Sequence, residues 1–248
     1  MNKEVRYIHQ ESVHNFVAPK EVVPVIIDLL NPKSVIDVGC GTGTWLKIFQ
    51  DIGIQEVLGI DGEYVDLSLL KIEKHLFQAF DLEKELHFNK KFDLAISLEV
   101  AEHLKFESSD IFVKTLCDLS ETIIFSAAIT NQGGQNHINE QNPEFWIEKF
   151  QENGYELFDV LRPIFWDNDK VDFWYRQNMF VFTKNILLKN KLSILDSFKG
   201  KHLVHPLGFK GRDLIAKQYL NENEKIVGGN KSFKFYLKLF FMFFKNKF

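Results

Sequence analysis

Cysteine is nearly absent: Cys40 and Cys117 are the two among 248 residues. No disulfide framework and no cysteine-based zinc spacing can be built from them. Both read as small apolar residues in a reducing compartment. Long apolar runs are also missing, and no stretch reaches the length of a membrane-spanning helix. Residues 1–10 are charged and lack the apolar segment of a secretory signal. These absences place the expected location in the cytoplasm. The sequence has no Gly-Lys-Ser/Thr phosphate loop, and position 44, where a dinucleotide fingerprint needs a third glycine, is Thr.

What is plentiful is apolar bulk. Hydrophobic residues make up 45% of the chain and Phe alone has 25 copies, which reads as core filling. The length fits one generous α/β domain, or one domain with an appendage. Charge is uneven. The net charge is −4, yet residues 185–248 hold 13 Lys and Arg against 4 Asp and Glu. The acidic excess therefore lies in residues 1–184, and the basic segment 185–248 is expected to be a separate helical appendage.

Within 1–184, strand-like and helix-like patterns alternate, as βαβ units on a parallel sheet do. Residues 34–38, 56–60, 75–80, 92–98 and 121–127 read as five strands, and 44–52 as the helix after the first. Asn142 as N-cap, Pro143 at the first helical position and Gly154 as terminator frame a later helix. Residues 155–160 and 178–183 read as two last strands joined by a long aromatic loop without a helix, and so antiparallel. The expected fold is α/β: a Rossmann-like, seven-stranded, mostly parallel sheet with an antiparallel last strand and helices on both faces.

The turn Asp37-Val38-Gly39-Cys40-Gly41-Thr42-Gly43 joins the first strand to its helix. Glycines there let backbone approach a ligand closely. Asp37 before them would repel a pyrophosphate and suits a cationic amino-acid or sulfonium ligand. Asp61 ends the second strand, 22 residues after Gly39, where a carboxylate can accept both hydroxyls of a ribose. Asp81 and Leu82 end the third strand, where a polar and an apolar residue can take an adenine. Leu98, Glu99, Val100, Ala101, Glu102 and His103 follow the fourth, at the same carboxyl edge.

These segments resemble the motifs of class I S-adenosylmethionine (SAM) dependent methyltransferases, over about residues 20–183. The resemblance implies SAM as cofactor. Its methionine end would lie on Asp37, Gly39, Cys40, Gly41 and Gly43, its ribose on Asp61 beside Gly62, its adenine near Asp81 and Leu82, and its methyl side along Leu98, Glu99 and His103.

Methyl transfer to a hydroxyl needs alignment, exclusion of water and removal of a proton. The segment after the fifth strand, residues 128–142, is dense in amides and carries His137 and Glu140. Asn136 and Asn139 could hold a sugar's hydroxyls. Histidine is the residue type suited to proton transfer near neutral pH, so His137 is the candidate general base, with Glu140 and His103 as further catalytic candidates. His137 and Glu140 alone do not make a metal site, so no metal is expected. Trp174 and Tyr175 could stack on a substrate, and Tyr7, His9 and His14 could cap the site. The stretches around 132–146 and 174–178 are similar to a bacterial subfamily found with surface-glycan genes. That resemblance implies O-methylation of a sugar, or of a nucleotide-activated sugar, for capsule or lipopolysaccharide.

Lys231, Lys234, Lys238 and Lys245 punctuate an otherwise apolar C-terminal helix. It could lie on the inner face of an anionic membrane, or dock on the domain or a second subunit as in a homodimer. Nucleic acid is disfavoured as a partner, because the catalytic part is acidic and phosphate is bound by positive surface. The Asn/Asp-Pro-Pro-Tyr/Phe signature for planar nitrogens is missing after the fourth strand. RNA or protein methylation is therefore the alternative within the enzyme class. A SAM-binding, membrane-associated regulator without catalysis is the alternative outside it.

Overall fold

The first strand shows how burial fixes the architecture. In the computed structural model, which describes residues 14–196 and 202–245, β1 (Ser34–Val38) is buried at every position. Its side chains alternate between two cores: Val35 packs on one face of the sheet, Ile36 and Val38 on the other. Such two-sided burial is what a central parallel strand under helices requires. β1 is flanked by β2 (Glu56–Asp61) and β4 (Leu94–Leu98), with β3 (Phe77–Ala79) beyond β2 and β5 (Thr122–Ser126) beyond β4, all parallel. The last two strands are β6 (Glu156–Phe158) and β7 (Phe180–Thr183). The order is β3-β2-β1-β4-β5-β7-β6, with β7 antiparallel to both β5 and β6.

One core holds α1 (Val17–Leu30) and α2 (Thr44–Asp51), the other α3 (Ser109–Leu119) and α4 (Pro143–Glu152). In α4, Asn142 occupies the N-cap position without a side-chain capping bond, Pro143 takes the first turn, and Gly154 just beyond has φ +81°. Strand order reverses between β1 and β4. Their carboxyl ends thus open the crevice where ligands bind in sheets of this kind.

Two expectations need correction. The connection from β6 to β7 is helical after all, holding α5 (Leu161–Phe165) and α6 (Phe173–Asn178). At 5 and 6 residues they are too short to display a helical period in sequence. The boundary near 184 also moves. Two compact units divide the chain, the first ending at His205 and the second beginning at Pro206. The helix α7 (Ile186–Ser193) belongs to the first, although basic. Its Leu192 is in the core with α1, and Lys191 Nζ donates to the carbonyls of Asp28 and Leu29, at 3.1 and 2.8 Å. The positive charge thus caps the C-terminal end of α1.

The second unit is α8 (Pro206–Val227) and α9 (Phe233–Lys245) on either side of Gly228-Gly229. The Tyr236 hydroxyl donates to the carbonyls of Lys225 and Ile226, at 3.1 and 2.7 Å, and joins the two helices. No helix among the described residues is long and apolar enough to cross a membrane.

Candidate active site

The turn after β1 is built by glycines in left-handed conformation: Gly39 has φ +87°, Gly41 +52° and Gly43 +78°. A Cβ on Gly39 would stand 2.3 Å from Val100 Cγ2, so only glycine lets this turn pass the segment after β4. Asp61 braces the turn from β2. Its Oδ2 accepts from the Gly41 amide at 2.7 Å, and its Oδ1 from the Gly62 amide and the Tyr64 hydroxyl, both at 2.6 Å. Behind the glycines, Asp37 is buried and its Oδ2 has no hydrogen-bond partner, nor has the buried Thr42 Oγ1. Burial, and then the charge of Asp61, raises the Asp37 carboxyl well above its usual range. Burial likewise pushes the Cys40 thiol up and keeps it neutral. A buried carboxylate without a donor is costly. This one, beside an open glycine cradle, fits a ligand with a cationic, hydrogen-bonding end.

Glu99 ends β4 with φ +57°, its amide donating to the Ser126 carbonyl at 2.9 Å. This left-handed turn points the carboxylate at an amide cluster. Asn178 Nδ2 donates to Oε1 at 3.1 Å and Gln132 Nε2 to Oε2 at 3.2 Å. Gln132 Oε1 in turn accepts from Gln177 and Asn178, both at 3.0 Å. The cluster is anchored by Arg162, fully buried, which pairs with Asp159 and donates to the Gln177 carbonyl at 3.1 Å. Burial raises the Glu99 carboxyl and the amides lower it in part.

A cavity of about 400 Å³ opens beside Glu99. Its lining combines the polar Glu102, His103, Gln132, Gln135 and His137 with the aromatic Phe173, Trp174 and Tyr175, and includes His14. The segment carrying His137 is held by Glu102 itself, whose backbone carbonyl accepts from the amides of Ile138 and Asn139, at 2.9 and 3.0 Å. Glu140 Oε1 sits 2.8 Å from His137 Nδ1 and also accepts from the Gly133 amide at 2.6 Å. An ionised carboxylate only accepts, so this contact puts a proton on Nδ1, and in the neutral tautomer Nε2 is the free nitrogen. The His103 and His137 rings meet edge to face, centroids 4.8 Å apart. Burial, aided by His137 and opposed by the Asn136 backbone, pushes His103 down to about 4. Burial, then the Glu99 charge, raises Glu102 well above the ordinary range.

A family model described as a methyltransferase domain matches residues 10–165. The chain belongs to this methyltransferase family. It is a SAM-dependent enzyme, and the glycine cradle with its buried Asp37 suits that cofactor. No curated protein matches the sequence. Among solved structures, the fold is shared with CalS10, a SAM-bound amino pentose methyltransferase from Micromonospora echinaspora. That match has 14% identity and TM-score 0.51, over 74% of this chain and 100% of that chain. It is shared also with Streptomyces venezuelae DesVI, at 13% identity and TM-score 0.53, over 73% and 100%. The methyltransferase domain of bacterial CtHen1 matches at 21% identity and TM-score 0.48, over 68% and 100%.

The methyltransferase brings together most, but not all, of the residues expected from sequence. Asp37, Gly39, Cys40, Gly41, Gly43, Asp61 and Gly62 form the cradle described above. Leu98, Glu99, His103, His137, Trp174 and Tyr175 line the cavity. Leu82 is buried in the core, and Asp81 sits partly exposed beside it, accepting from the Glu83 amide at 3.1 Å. Glu140 does not line the cavity; it orients His137. Asn139 turns inward and donates to Ser109 Oγ at 3.1 Å, so it anchors the segment. Asn136 does not line the cavity either; its backbone meets His103. Tyr7 and His9 lie outside the described residues. Sequence reasoning gave no role to Tyr64, Gln132, Gln177, Asn178 or Arg162. Their roles come from contacts between distant segments, which no local pattern announces.

Proposed function

We propose that this methyltransferase methylates a hydroxyl of a sugar, or of a nucleotide-activated sugar, for surface polysaccharides such as capsule or lipopolysaccharide. The observation that carries the reading is the cavity's mixed lining, which combines carboxylates, imidazoles and amides with Phe173, Trp174 and Tyr175. A sugar presents hydroxyls at its edge and C–H groups on its face, and such a lining suits both. CalS10 shows an amino pentose methyltransferase on this fold, so a sugar acceptor is within its reach.

Bound SAM supplies an electrophilic methyl on a positively charged sulfur. Asp37 and the backbone of Gly39, Cys40, Gly41 and Gly43 hold its amino-acid end. Asp61, with Gly62, takes the ribose, Asp81 and Leu82 the adenine, and Leu98 and Glu99 flank the methyl side. The aromatic side chains exclude water. His137 Nε2, with Nδ1 held by Glu140, receives the acceptor's proton when the imidazole acts alone. The tail, with Lys231, Lys234, Lys238 and Lys245, supplies a contact for the inner face of an anionic membrane.

The test is incubation of the full chain with SAM and a panel of nucleotide-activated sugars, with mass detection of one added CH₂. Methylation of tRNA or protein, with no sugar modified, would sink the reading.

A further inference from the structure

The Glu102 side chain is fully buried, and neither carboxylate oxygen has a hydrogen-bond partner. Its backbone carbonyl is the group used by Ile138 and Asn139. The backbone amides of Glu102 and Ala128 face the carboxylate without reaching hydrogen-bond geometry. Among the described residues, no Lys or Arg lines the cavity that this carboxylate faces. Two imidazoles stand beside it instead. One ligand atom each of Glu102, His103 and His137 lies within 4.8 Å of the other two.

A buried carboxylate is kept either by taking up a proton or by facing a cation. Two imidazoles within reach of it favour the second, since histidine nitrogens are common metal ligands. We propose that Glu102, His103 and His137 bind one divalent first-row transition-metal ion on the floor of the cavity. Two nitrogens and one carboxylate oxygen suit manganese, iron, cobalt or zinc better than calcium or magnesium, which prefer oxygen alone. Glu140 takes the outer place common around metal-bound histidines: it fixes Nδ1 and leaves Nε2 for the ion. The sequence pairs His137 with Glu140 and expects no metal. The fold keeps His137 on Glu140 and sets Glu102 and His103 beside it.

Three protein ligands leave positions open towards the cavity, where a substrate oxygen can bind. This use of the site rests on the function proposed above. The acceptor hydroxyl coordinates the ion, becomes more acidic and loses its proton to water. Its oxygen then forms the bond to the methyl carbon as the carbon–sulfur bond breaks, the electron pair staying on sulfur. His137 is then a ligand, and the ion takes over the role of the free imidazole.

The experiment uses tag-free, full-length protein stripped with chelator and titrated with Mn²⁺, Co²⁺ and Zn²⁺, read by calorimetry and by the visible bands of Co²⁺. Uptake of one ion per chain is expected. Glu102→Gln and His137→Ala should each weaken it tenfold or more, and Glu140→Gln by about tenfold. Glu102→Gln should still bind S-adenosylhomocysteine and should melt higher than the metal-free parent, which shows that its lost uptake is not misfolding. No saturable uptake, or uptake unchanged in Glu102→Gln and His137→Ala, overturns the site. Sugar methylation undiminished by chelator overturns its role in the reaction and leaves the proposed function standing. Specific uptake without methylation of any sugar leaves the ion site standing and removes the function.

Discussion

Asn178 Nδ2 donates to Glu99 Oε1 at 3.1 Å, tying the end of α6 to the end of β4 across 79 residues. Few donors reach this half-buried carboxylate, and Asn178 also donates to Gln132. Removing it takes the amide donor from Glu99 Oε1 and leaves Gln132 Oε1 with Gln177 alone. Asn178→Ala is expected to cost about 1–3 kcal/mol, the penalty of an unsatisfied buried group. Asn178→Asp should cost more, because it sets like charges together. Urea unfolding of the three proteins checks the order.

Asp37 gives a pH-dependent prediction. Burial and Asp61 raise its folded-state pKa above the ordinary 3.8. The unfolded chain therefore gives up this proton at lower pH than the folded one. The group's favourable contribution is present below about 3.8 and is lost as pH rises through the folded value. Asp37→Asn removes that loss. Its stability advantage over the parent should grow with pH above 3.8, while its affinity for cationic SAM falls about tenfold or more, roughly 1.4 kcal/mol. Thermal melts across pH and SAM titrations measure the two. A variant neither stabilised nor impaired in binding would refute the reading.

The central half of the sheet was legible because its signals are local. Four apolar runs and a weaker one in third place, glycines after the first and acids after the next two are read directly along the chain. The polar lining was legible only in part. His137 stood out as a histidine among amides, but Glu102 looks like any charge at a helix start until the fold buries it beside His103 and His137. Likewise Asn139, read as a substrate contact, turns inward because Ser109 lies behind it. The basic segment misled in a different way. Its charge suggested one unit from 185, whereas Leu192 packs α7 into the first core.

Gly134 lies under the His137 ring: a Cβ there would stand 2.2 Å from Nε2. The obstacle is a side chain, not backbone, so the fold can yield by moving the imidazole away from Glu140. Gly134→Ala is therefore expected to lower kcat by about 10²-fold, as a misplacement near 1 Å does. S-adenosylhomocysteine affinity and melting temperature should stay close to the parent's. Equal activity would mean that the imidazole's position is irrelevant.

Arg162 is fully buried and joins Asp159, the Gln177 carbonyl and the Phe180 ring, 4.4 Å from its guanidinium carbon. Cutting one partner from a buried ion pair typically costs about 3–5 kcal/mol. Arg162→Met should lose about that much in denaturant unfolding. The double change Arg162→Met with Asp159→Leu should recover part of it, because no charge is then left unpaired. If the single variant is as stable as the parent, the pair does not hold the amide cluster in place.

The sheet, both cores and the cavity residues lie before Pro206, where the second unit begins. Removing residues 206–248 should therefore leave SAM affinity and the melting transition of the catalytic unit within experimental error. In α9, Phe233, Phe240, Phe241, Phe243 and Phe244 are exposed, Lys234, Lys238 and Lys245 are its charged residues, and it has no acid. Apolar bulk with positive charge alone favours an anionic lipid surface. The full chain should co-sediment with vesicles rich in phosphatidylserine, less so in high salt, and the shortened chain should not. Equal sedimentation of both would remove the membrane role, and a full chain that instead dimerises without lipid would assign α9 to self-association.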